Sequence, residues 1–215
     1  MDSACDTYSG STKVGSKTCT HTLTVPSSVK PTIGNLSVTR INGDVPSSWG
    51  IYVQTKSKAA IQITGAAGSY GSSVKSYSIS GGGYSGTADT LTTGFLNTSG
   101  TITFIATVTD SRGRISDAKT TSISVVAYSP PYINSVVSQR ALSNGTLNDD
   151  GTYIRGVVSF GYSSCGEKNT LSCSQFYKKN SDANWTSGGV SFHSDTPFTF
   201  GNGKISTEST YDVKY

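Results

Sequence analysis

From Thr101 to Thr109 the chain alternates, with Ile102, Phe104, Ala106 and Val108 apolar and the residues between them mostly Thr. Successive side chains of a strand point to opposite faces, so this pattern predicts a strand whose even positions face a core. The same period of two recurs along the chain. Ala59, Ile61 and Ile63 form one such face, Tyr77 and Ile79 another, and Ile123 with Val125 a third. Further on, Ile154, Val158 and Phe160 share a face, as do Tyr211, Val213 and Tyr215. Gly- and Asn-rich turn signals separate these runs: Gly65 to Gly71, Gly81-Gly82-Gly83, Asp110-Ser111-Arg112-Gly113, Asn144-Gly145 and Gly188-Gly189. No window of three or more turns carries apolar residues at helical spacing. Short strands punctuated by turns over about 100 residues predict an all-β antiparallel sandwich.

The chain also repeats. Val25, Pro31, Ile33 and Arg40 recur as Val125, Pro131, Ile133 and Arg140, an offset of 131 − 31 = 100. Each copy is a strand end, a proline-marked linker and a strand start, and a period of this length is one small domain. Three pieces follow. Residues 1–29 are expected to be the last hairpin of a preceding module, with His21, Leu23 and Val25 alternating as Ile123 and Val125 do. Residues 30–128 are expected to be a complete sandwich of about seven strands. Residues 129–215 are expected to be a second module, truncated before its last strand, because nothing after Tyr215 corresponds to the run from Ile115 to Val126.

Composition narrows the function classes. Charged residues make up 14% of the 215, and the net charge of +4 is scattered, its longest basic run being Lys178-Lys179. Nucleic-acid binding usually needs a clustered basic footprint, so no nucleic-acid partner is expected. No stretch approaches the ~18 apolar residues of a membrane span, and no membrane insertion is expected. Met1 to Cys5 lacks the basic and apolar regions of a signal peptide. Four cysteines fall in two local pairs, Cys5/Cys19 and Cys165/Cys173. Both pairs could close a cross-strand disulfide or remain thiols. Neither has C-x-x-C spacing, and with only His21 and His193 available no metal is expected.

Catalytic constellations are weak. His193-Ser194-Asp195 cannot form a relay as consecutive strand residues, and reads as a polar turn before Pro197. Glycoside hydrolysis needs two carboxyls about 5–9.5 Å apart in a cleft. The candidates Asp110, Asp117, Asp149, Asp150, Glu167 and Glu208 read as turn or surface residues. No catalytic residue, cofactor or metal ligand is therefore assigned. Surface contact is the better expectation. Tyr70 and Tyr84 sit in Gly/Ser loops and Trp185 at a hairpin end, where rings either plug the sandwich or stack on sugars. Arg112 and Arg114 put two cations on the Asp110 turn, which reads either as an exposed tip or as a hairpin needing Gly113 at positive φ.

Several words of the chain resemble a known family. These are Pro31-Thr32-Ile33, Ala60-Ile61-Gln62-Ile63-Thr64-Gly65-Ala66, Tyr70-Gly71-Ser72, and Ala106-Thr107-Val108-Thr109-Asp110-Ser111-Arg112-Gly113-Arg114, followed by Tyr128-Ser129-Pro130-Pro131. In this order they resemble the immunoglobulin-like repeats of siphovirus (long-tailed bacteriophage) tail proteins, a family of mostly unassigned function. Gln175 to Lys179 with Trp185-Thr186 resembles a fibronectin type III hairpin. The four cysteines depart from the pattern. The resemblance implies tandem immunoglobulin-like or fibronectin III-like sandwiches in the virion tail, extracellular after release. It implies a non-enzymatic structural and host-attachment role, with other tail proteins as partners and host cell-surface glycans as weak contacts. A bacterial surface adhesin built of similar repeats is the alternative.

Overall fold

The structure, a computed structural model, describes residues 2–215. Strands dominate, and among the described residues the only helical segment is a single 3-10 turn, Ser47–Trp49. Met1 lies outside the described residues. The first two strands, β1 (Asp2–Ser9) and β2 (Thr12–Thr20), form an antiparallel two-stranded hairpin. The run from His21 to Val25, expected as a strand, belongs to no element, and Leu23 is exposed. Its alternation is real, but it has no neighbouring strand to pair with.

The next strands are β3 (Asn35–Asn42), β4 (Tyr52–Val53), β5 (Ser57–Thr64), β6 (Val74–Gly81), β7 (Tyr84–Gly86), β8 (Thr90–Thr92), β9 (Gly100–Asp110) and β10 (Lys119–Val126). They make a three-stranded sheet in the order β3-β5-β8 and a five-stranded sheet in the order β4-β10-β9-β6-β7. The predicted faces hold: Ala59, Ile61, Ile63, Ile79, Ile102, Phe104, Ala106, Val108, Ile123 and Val125 are all buried. β4 joins β10 in parallel through Tyr52 and Val53.

The last strands are β11 (Tyr132–Ala141), β12 (Tyr153–Gly161), β13 (Phe176–Lys179), β14 (Thr186–Ser187), β15 (Phe198–Phe200) and β16 (Tyr211–Lys214). They form the sheets β11-β12-β15 and β14-β13-β16. Ile154, Tyr177, Phe200 and Ile205 form their core, with Phe198, Tyr211, Val213 and Tyr215 packed against it. Rings pack closely there, Phe192 stacking on Phe198 at 4.4 Å between centroids.

By internal contacts the chain divides into two compact units. One holds residues 1–41, 59–94 and 102–123, the other residues 42–58, 95–101 and 124–215. This division does not coincide with the linker near residue 128. In the second unit a small cluster explains why: Val45 and Val53 pack with buried Cys165, flanked by Trp49, Ile51 and Tyr128. Burial pushes the Cys165 thiol pKa up. All four cysteines are free thiols here. Cys5 faces Lys17 across the hairpin and Cys19 faces Ser3, so the first pair is offset by two residues.

Candidate functional site

The Asp110 turn is a fastening rather than an exposed tip. Asp110 ends β9 fully buried, and the turn closes by a Gly113 N–H bond to its carbonyl at 2.9 Å, with Gly113 at φ 81°. The carboxylate Oδ1 accepts the backbone N–H groups of Arg112 and Arg114, each at 2.9 Å. Oδ2 accepts the Arg112 guanidinium at 3.2 and 3.3 Å. Burial pushes the Asp110 carboxyl up. The backbone of Arg114, the Ser72 hydroxyl, and the backbone and side chain of Arg112 outweigh it, so the pKa lies below its ordinary value.

Both arginines are committed inward. Arg112 Nη2 donates to the Ser69 carbonyl at 2.5 Å and to Ser72 Oγ at 2.8 Å. Arg114 Nη1 donates to the carbonyls of Pro26 at 2.7 Å and Val29 at 3.0 Å, and its Nη2 to the Val25 carbonyl. Of the two readings of this turn, these bonds favour the structural hairpin, because the arginine donors hold other segments. Arg112 pins the loop at Ser69–Ser72, and Arg114 pins the linker at 25–29. Lys119 Nζ adds a bond to the Gly34 carbonyl at 2.5 Å, and Ser69 Oγ one to the Lys30 carbonyl at 2.5 Å.

What Arg112 pins is the loop that carries Tyr70. This ring is 88% exposed, and its backbone sits at φ 47°. A bulky residue in the left-handed region is strained by roughly 1–2 kcal/mol. Here the neighbouring bonds hold it there: Ser72 N–H to the Ser69 carbonyl at 3.1 Å, and Arg112 to Ser69 and Ser72. A fastened loop thus presents an unburied aromatic ring. Tyr84 opens β7, is half-buried, and lies near Gly94.

Trp185 stands in the second unit, on the outer face of the β14-β13-β16 sheet. The register pairs Tyr177 with Thr186 and Val213, and Phe176 with Lys214. Tyr177 and Val213 face the core, so Phe176, Lys178, Asp212 and Lys214 share the opposite face. Trp185 is 37% exposed, with Lys214 Nζ at 4.4 Å and Lys178 Nζ at 5.4 Å from its ring centroid. Lys214 also lies 4.9 Å from the Phe176 ring. Each such contact is worth about 0.5–1 kcal/mol at an exposed site. Lys178 pairs with Asp212 at 3.4 Å, leaving two ammonium groups against one carboxylate. The patch is an aromatic platform with a cationic rim. The sequence singled out Trp185 but missed its lysines. Alternation in Phe176-Tyr177-Lys178 was the available signal, since Tyr177 in the core sends its neighbours outward.

The run His193-Ser194-Asp195 is tied up in local hydrogen bonds. Ser194 Oγ donates to Asp195 at 2.9 Å and accepts from the Phe160 N–H at 2.9 Å, while Thr196 N–H closes on the His193 carbonyl at 3.3 Å. This is the polar turn expected before Pro197. Among the described residues no group of three or more His, Cys, Asp or Glu side chains could hold a metal, and no helix is long and apolar enough to cross a membrane.

The chain compares with known proteins as follows. A solved chain titled "Structural basis for the promiscuous specificity of the carbohydrate-binding modules from the beta-sandwich super family" is similar at 11% identity and a TM-score of 0.35. The match covers 86% of this chain and 94% of that one. At that similarity nothing about function transfers. No curated protein matches the chain significantly. A family described as "Siphovirus protein of unknown function (DUF859)" matches residues 1–148. With more than half of its length matched, the chain belongs to this family of siphovirus proteins.

Proposed function

We propose that the chain is a non-enzymatic structural and host-attachment module of the phage tail, touching host cell-surface glycans weakly through exposed aromatic rings. The observation that carries this reading is Tyr70, an almost fully exposed ring at a strained φ, on a loop held by Arg112, which pairs with buried Asp110. Such strain persists only where the surroundings enforce it, and it gathers at contact sites. The cationic rim of Trp185 suits hydroxyl-rich or anionic sugars. Single contacts of this kind are weak, and copy number in a tail multiplies them. The fastened linkers support the structural half. Arg114 and Lys119 bind the first one, and the Ser129 N–H donates to Ser163 Oγ at 2.7 Å in the second.

The test is binding of the purified chain to cell-wall glycans from the phage's host. Tyr70→Gly should weaken binding several-fold while leaving the melting temperature unchanged or raising it, because glycine adopts positive φ freely. Trp185→Ala should weaken it further. Glycan binding unchanged in the double variant would refute attachment through these rings.

A further inference from the structure

Besides the rings of Tyr70 and Trp185, a recess in the second unit combines aromatic walls with fixed polar groups. It measures about 240 Å3, and all of its lining residues belong to that unit. The floor is Val45, Val53 and Cys165, each buried. Trp49 and Tyr128, both half-buried, pack against this floor as walls. Asp44, Lys56 and Asn169 complete the lining.

The lining is held in place by its own backbone bonds. The Gln54 N–H donates to the Val126 carbonyl at 2.9 Å, Thr55 N–H to the Leu96 carbonyl at 2.7 Å, and Lys56 N–H to the Val53 carbonyl at 3.1 Å. Trp49 N–H donates to the Pro46 carbonyl at 3.1 Å. Asn169 is fixed twice, by its N–H to the Ser164 carbonyl at 2.8 Å and its Nδ2 to the Ser163 carbonyl at 2.9 Å. Two of these supporting turns carry non-glycine residues in the left-handed region. Thr55 has φ 60°, and Cys165 and Glu167 have φ 51° and 65° on either side of Gly166 at 67°. Backbone of this kind persists only where the surroundings enforce it, and it gathers at ligand clamps.

The polar groups set the class of ligand. Lys56 Nζ lies 3.4 Å from Asp44 Oδ2 and 5.6 Å from the centroid of the Tyr128 ring. One carboxylate and one ammonium cancel, so the recess favours neither sign of ion, and the ammonium over Tyr128 takes the ring face that a cation would use. Their ion pair is longer than the roughly 2.7–2.9 Å of a strong charge-assisted bond. Both groups therefore keep capacity for a ligand: the carboxylate and the Asn169 amide oxygen accept, and the ammonium donates. The volume falls below the roughly 300–1,000 Å3 of most small-molecule pockets, which limits the occupant to about one ring. A neutral ring with an apolar C–H face and an edge of hydroxyls is a pyranose.

We infer that this recess binds one neutral pyranose residue of a cell-surface glycan. Trp49 packs on the C–H face of the sugar, while Asp44, Asn169 and Lys56 hydrogen-bond its hydroxyls. The inference rests on the glycan reading above and gives it a site of one-residue size, separate from Tyr70 and Trp185.

The chain has two tryptophans, so in a Trp185→Phe chain the indole fluorescence reports Trp49 alone. That chain is titrated with the methyl glycosides of glucose, galactose, rhamnose and N-acetylglucosamine, and with glucuronate and choline as charged controls. Saturation-transfer NMR of each probe is the second readout. At least one neutral sugar should bind saturably with a Kd of about 1 mM, and neither charged probe should. Asp44→Asn and Lys56→Gln alter side chains that reach solvent, so both variants should melt as their parent does. Each should raise the Kd about tenfold. Silence toward all four neutral sugars in both readouts, equal binding by the variants, or preference for glucuronate or choline would overturn the proposal. Host cell-wall glycan binding distinguishes the two claims. Binding that survives Asp44→Asn but is lost in the Tyr70→Gly, Trp185→Ala double variant would sink the recess and leave the exposed rings standing; the converse would sink the rings and support the recess.

Discussion

Asp110 is a buried carboxylate kept ionised by its hydrogen bonds, and that gives the first unit a pH signature. Its folded pKa lies below the unfolded value. The stabilisation is therefore fully present above about pH 4, the ordinary range for an aspartate, and is lost as pH falls through the folded value. Thermal melting should show wild type above Asp110→Asn at neutral pH, with the gap closing in acid. A gap independent of pH would mean that the charge contributes nothing. Phe104 makes a second residue-scale prediction. It is fully buried in the phase read from the alternation of Ile102 to Val108, and Phe104→Ala should cost about 3–5 kcal/mol, measured by denaturant unfolding. An unchanged midpoint would contradict its place in the core. These buried residues were readable because alternation reports burial directly. The jobs of Arg112 and Arg114 were not, because a guanidinium on a turn looks alike whether it meets solvent or the carbonyls of Ser69, Pro26 and Val29. Those partners lie 43, 88 and 85 residues away in the chain.

At the scale of elements, the strands with one buried face announced themselves, and those without did not. β1 and β2 carry no apolar alternation, since their described side chains are nearly all exposed, so the pairing of Asp2–Ser9 with Thr12–Thr20 left no hydrophobic trace. β4 is two residues long, too short for a period to show. The run at 21–25 misled in the other direction: it has the pattern of a strand and stands unpaired. The linker after it can be tested as an element. Arg114→Ala removes the donors to Val25, Pro26 and Val29. It should speed limited proteolysis between residues 21 and 30 without unfolding β9 and β10. Cleavage at the wild-type rate would show that these bonds do not hold the linker. The Trp185 patch was half readable. An aromatic at a hairpin end is visible in sequence, but Lys214 reaches it only because β16 pairs with β13.

For the molecule as a whole, the proposed role joins an all-β chain of a siphovirus family, fastened linkers, and two separate exposed aromatic sites. Nothing in that role requires bond cleavage, so incubation with purified cell-wall glycans should release no reducing ends. Release that disappears with Asp149→Asn, Asp150→Asn or Glu208→Gln would reverse the non-enzymatic reading. The role as a tail component is tested most directly by electron microscopy of purified virions labelled with gold-conjugated antibodies against this chain. Label should decorate the tail. Label confined to the head, or virions that carry none, would contradict it.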